Sequence, residues 1–140
     1  MTRIDAAQAG VQQATELPAV LDASYAAFEA MLSVLHPAQD PASDLFTALV
    51  MAAAAAANGR NALALAPSLP RHPLLTAPPH DQPHPAKPER TAEAVASLSN
   101  LIAARLTHAA ASAPNTADQD ACTHAARSAR DICGLLTRRP

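Results

Sequence analysis

Residues 45–57 read LFTALVMAAAAAA, with Thr47 as the one polar side chain. A helix at a protein surface shows polar residues along one face, and a helix that is apolar all round is normally buried all round. In a chain of 140 residues, such a helix is either central or covered by a second copy of the protein. Its alanine-rich end lets whatever packs there come close. The stretch therefore speaks to architecture and association, and it carries no catalytic group.

The composition around it points the same way. The chain has 37 alanines, three aromatics (Tyr25, Phe28 and Phe46) and glycine only at positions 10, 59 and 134. Alanine is the best helix former, and strand-forming residues never cluster. The expected fold class is all-α, and α/β nucleotide-binding folds are excluded. A chain of this length makes one domain and buries roughly two thirds of its unfolded surface. We expect a weakly ordered or helical lead-in over 1–16 and a single helical-bundle domain over 17–140, with a Pro/His-rich loop at 67–88.

Outward from the apolar run, four helices are predicted. The first covers 17–35, where Leu17, Leu21, Phe28, Leu32 and Leu35 keep the spacing of one buried face with Ser24 in the gap. Asp22, Glu29 and His36 line a neighbouring polar stripe, and Pro37 stops the helix by forcing His36 out of the α region. The second is expected to start at Asp40, an N-cap residue followed by Pro41. It ends at Gly59, or at Ala66 ahead of Pro67. Residues 67–88 hold eight of the 13 prolines and three of the six histidines, which suits an extended segment. The third helix covers 88–112, with Val95, Leu98, Ile102, Leu106 and Ala109 as its seam; Arg105 beside that seam needs a partner. The fourth follows a cap at Asn115 or Thr116, answered by Asp118 or Gln119, and buries Cys122, Ala125, Ala129, Ile132 and Leu136. Four helices with two short connections and one long one between the second and third fit an antiparallel four-helix bundle.

Charge and cysteine usage narrow the function classes. A net charge of −2 gives no global field for nucleic acid or an anionic membrane. No apolar leader follows Arg3, and the run at 45–57 is too short to span a bilayer, so a soluble cytoplasmic protein is expected. Cys122 and Cys133 would lie roughly 16 Å apart along one helix. That is too far for a disulfide and suits a reducing compartment.

The chemical motifs are sparse. His80 and His84 have a zinc-like spacing of four, but Pro79, Pro83 and Pro85 forbid the helix that would align them. A structural zinc site needs four ordered ligands, and no cysteine is near; neither a metal nor a cofactor is expected. Di-metal bundles use Glu-x-x-His, which occurs nowhere in the chain. Arg127, Arg130, Arg138 and Arg139 could contact phosphate, but they lack interleaved aromatics and are diluted by Asp131. Pro70–Pro73 and Pro85–Pro88 match PxxP spacing, as proline-rich segments readily do.

The expected function is therefore non-catalytic association through the second predicted helix, by Leu45, Phe46, Leu49, Val50, Met51 and Ala54, with a second copy or another protein. A competing occupant of that face is the Pro-rich loop, folded back as a lid on Leu74 and Leu75. The alternative function is a small-molecule-binding or catalytic bundle using Asp22, Glu29, His36, Arg105, His108 and His124. In it His108 and His124 would face each other across the last two helices, with Asp120 orienting His124 as a general base.

Overall fold

The computed structural model describes residues 2–70 and 87–137, and these form five α-helices and no strand. They are α1 (Arg3–Gln13), α2 (Leu17–Leu35), α3 (Phe46–Ala64), α4 (Pro88–Ser112) and α5 (Thr116–Thr137). Met1 and residues 71–86 and 138–140 lie outside the description, and with them most of the expected Pro/His-rich loop at 67–88, the proposed lid residues Leu74 and Leu75, the pair His80 and His84, and Arg138 and Arg139.

The helix count corrects the four-helix expectation. The lead-in is a helix of its own, started by a reciprocal cap. The Thr2 hydroxyl accepts the Asp5 N–H at 3.1 Å, while the Asp5 carboxylate accepts the Thr2 N–H at 3.3 Å. Two otherwise unpaired donors of the first turn are thereby satisfied. Ile4 and Val11, seven residues apart, are buried and hold α1 against α2 and α4. Its last turn answers the question of Arg105, whose Nη2 donates to the Gln12 carbonyl at 3.0 Å.

The start of α3 is a second correction. Asp40 does cap, but it caps a turn: its Oδ1 accepts the Ala42 N–H at 3.0 Å. Ser43 does the same for the Leu45 N–H at 3.1 Å. Short polar side chains bonding to nearby backbone compete with helix, so the helix begins only at Phe46. It then runs through Gly59, which is a packing residue and not a terminator. A Cβ built on Gly59 would stand 2.5 Å from Cζ of Phe28, so the ring of α2 occupies the space a side chain would need. The third and fourth predicted helices correspond to α4 and α5 as expected.

α5 lies between α3 and α4, α2 touches both α3 and α4, and α1 covers the edge between α2 and α4. α3 and α5 run in opposite directions: Ser68, just past α3, meets Asp118 in the first turn of α5, while Met51 shares a groove with Leu135 at the other end. Leu21, Phe28, Leu49, Leu98, Ile102 and Ile132 are fully buried, each such side chain stabilising by about 1.5–3 kcal/mol. Between them Ala52, Ala56, Ala125 and Ala129, also fully buried, bring the helix axes together. α2 is long and apolar enough to cross a membrane by length and composition, yet here its Leu21, Phe28, Met31 and Leu35 form core.

Candidate interaction face

α3 sorts the apolar run into an inner and an outer set. Leu49, Ala52, Ala53 and Ala56 point inward and are buried. Of the expected interface residues, Leu49 is thus fully buried in the core, and Leu45 and Phe46 are half-buried. Val50 and Met51 remain 39% and 51% exposed, and Ala54 is exposed beside them. The cause is the sequence pattern: Thr47 is the one polar residue in the run, and the other outward positions of the first two turns are filled by Val50 and Met51.

The sequence reading missed two parts of this face. Leu65, just beyond α3, is 80% exposed, because the helix persists past Gly59 and carries it outward. The other part is supplied by α5. A groove of about 420 Å³ runs between the two helices, with Met51, Ala54, Ala55 and Asn58 on one wall and Arg130, Asp131, Gly134 and Leu135 on the other. Only the packing of α5 against α3 could reveal that wall. The Arg130 guanidinium is held at the rim by an Nη2 bond to Thr107 Oγ1 at 2.6 Å.

A second groove, of about 660 Å³, lies between α4 and α5 and includes Glu93, Ser97, Asn100, Cys133 and Thr137. None of the six polar residues of the small-molecule alternative lines either groove. Asp22, His36, His108 and His124 are exposed. Glu29 meets Arg60 at 3.5 Å on the surface, and Arg105 is engaged with α1. Among the described residues no hydrogen bond or ion pair joins any two of these six, nor Asp120 to His124. No three His, Cys, Asp or Glu of the described residues are grouped to hold a metal ion.

The buried polar cluster of the fold is structural. Asp118 is fully buried and accepts the Ser68 N–H at 3.0 Å, the Ser68 hydroxyl, and Asn115 Nδ2 at 2.8 Å. Its own N–H donates to Asn115 Oδ1 at 2.8 Å. Burial pushes this carboxyl up, but the bonds from Ser68 and Asn115 outweigh it and hold it below the ordinary carboxylate range. The cluster clasps the turn after α3 to the start of α5. One turn on, burial and then the Asp118 charge push the Cys122 thiol up to about 11. It is therefore a protonated, inert thiol at neutral pH. Cys133 is half-buried, and both cysteines are free. No protein-family model, no curated protein and no solved structure matches this chain.

Proposed function

We propose that the chain is a non-catalytic association module that docks a second copy or another protein through the outer face of α3. The observation that carries this reading is the exposure of Val50 and Met51 on a helix whose outward side bears no charge between Phe46 and Asn58. Contiguous exposed apolar surface is what interaction sites are built from, and Val50 and Met51 adjoin on α3. The neighbouring alanines leave room for close backbone approach and the dispersion contact that comes with it. The helix order supports reading α2, α3, α4 and α5 as an antiparallel four-helix bundle with α1 as an added edge helix. The free cysteines support a reducing, cytoplasmic setting.

Light scattering of the full chain alone and mixed with a candidate partner tests the proposal. Met51→Glu places a charge on the exposed patch without touching the core, so association should fall at least tenfold while the circular dichroism spectrum stays helical. Association unaffected by both Met51→Glu and Val50→Glu would remove α3 from the function.

A further inference from the structure

We propose that Asn58 is a site of spontaneous covalent modification, gated by the opening of α3, at which the side-chain amide is lost and a carboxylate is formed. The susceptible pair is Asn58 followed by Gly59. The Asn58 side chain is exposed, and among the described residues no hydrogen bond holds its amide. Gly59 has no Cβ to shield its backbone nitrogen, so in an opened chain that nitrogen can approach the Asn58 Cγ closely. The fold itself maintains this pair, because Phe28 of α2 fills the space that a side chain at position 59 would need. Asn61 and Asn100 are exposed on helices too, but Ala62 and Leu101 follow them. The amide of Asn115 is engaged at both ends by Asp118.

The reaction needs only hydroxide and water. Hydroxide removes the Gly59 N–H proton, the nitrogen attacks Asn58 Cγ, and the new N–C bond forms as the side-chain nitrogen leaves as ammonia. Water then opens the five-membered imide at either carbonyl. One product is aspartate. In the other, isoaspartate, the chain runs through the former side-chain carboxyl, and α3 gains a methylene in its backbone. The folded helix blocks the first step. Its ψ stays near about −42°, which holds the Gly59 nitrogen off the Asn58 Cγ, and the Gly59 N–H is given to the Ala55 carbonyl. The pair lies well inside α3 (Phe46–Ala64), where Ala56, Gly59 and Leu63 are buried. Opening there exposes core and belongs to the high-stability end of local unfolding. A chain that has stayed open long enough to react is therefore marked. The isoaspartyl product cannot return Gly59 to its place under Phe28 with helical register on both sides. Either product also adds a negative charge beside Asp131 in the groove between α3 and α5.

Incubation of the full chain at mildly alkaline pH, followed by peptide mapping in the mass spectrometer and methyl labelling with an isoaspartyl methyltransferase, tests this. In urea, Asn58 should convert at least tenfold faster than Asn61 or Asn100, and Gly59→Ala should remove that advantage. In native buffer the conversion of Asn58 should be at least tenfold slower than in urea, since it follows the opened fraction. Phe28→Leu keeps Gly59 but loosens its packing, and Leu63→Ala does so from α3 itself. Either should speed the native conversion at least tenfold and leave the rate in urea unchanged. Isoaspartyl chains, isolated and returned to native buffer, should show less helix by circular dichroism than Asn58→Asp, whose backbone is normal. Equal rates at Asn58 and Asn61 in urea overturn the site. A native rate equal to that in urea, or one that both Phe28→Leu and Leu63→Ala leave unchanged, overturns the gating by α3. Isoaspartyl chains as helical as Asn58→Asp overturn the marking of opened chains.

Discussion

Gly59 has no side chain because Phe28 stands where one would be. Glycine inside a helix is less favourable than alanine by about 0.8–1.0 kcal/mol, so in isolation Gly59→Ala would stabilise α3. Here the clash is with a fully buried ring, which cannot swing into solvent, and overpacking of this kind costs about 1–3 kcal/mol. Gly59→Ala should therefore lower the denaturant midpoint, and Gly59→Ala with Phe28→Leu should recover part of the loss. Ser24 offers the opposite case. Its Oγ is buried and has no hydrogen-bond partner, an arrangement whose desolvation cost is about 1–3 kcal/mol. Ser24→Ala should leave the fold intact and raise its melting temperature; a lower one would mean that the hydroxyl has a partner. The thiols divide in the same local way. Cys133 should react with a soluble disulfide reagent in the native protein, and Cys122, protonated and buried, only after unfolding.

At the scale of elements, reading from sequence succeeded where one strong signal acted alone. α4 and α5 have uninterrupted apolar seams and hard stops, so their bounds were readable from proline and cap positions. α1 has a weak signal in sequence because its core contribution is only Ile4 and Val11, and its packing is on α2 and α4. The onset of α3 is later than the sequence suggests, since Asp40 and Ser43 have the chemistry of helix caps and spend it on turns. The inward and outward sides of α3 could not be assigned at all, because a run of aliphatic residues carries no periodic signal. The α5 wall of the groove needed the tertiary pairing. The junction of α3 and α5 gives a pH prediction. Asp118 is held below its ordinary value by Ser68 and Asn115 despite burial, so the unfolded chain binds its proton more readily. Its stabilisation is complete above the unfolded value of about 3.9 and is lost as pH falls through the lower folded value. Asp118→Asn should lower stability at neutral pH and make the acid loss that begins below the unfolded value shallower than in the wild type. A residual slope from Asp5, lowered by its bonds from Thr2, should persist. An acid limb unchanged by Asp118→Asn would show that the clasp contributes nothing.

At the scale of the molecule, the alanines act in two roles that one substitution distinguishes. Buried Ala56 and Ala125 fix how close α3, α4 and α5 come, and enlarging either to leucine should destabilise by about 1–3 kcal/mol through overpacking. Exposed Ala54 meets only the open groove, so Ala54→Leu should leave the monomer's stability near that of the wild type and act on association alone. Coupling between folding and association then becomes measurable in one quantity. A species that binds only the folded state stabilises it in proportion to the logarithm of its concentration. If copies of this chain pair through α3, the Tm must climb with protein concentration. The climb should vanish in Met51→Glu, whose substituted side chain points to solvent in the lone chain and leaves the core of Leu49, Phe28 and Ile132 intact. A Tm independent of concentration for wild type and variant alike would assign the exposed face to a partner other than itself. A climb that survives both Met51→Glu and Val50→Glu would place the contact on another surface. Because the core is small, each increment from pairing is a large share of a net stability that for such domains is only about 5–15 kcal/mol, and the shift should be readily seen.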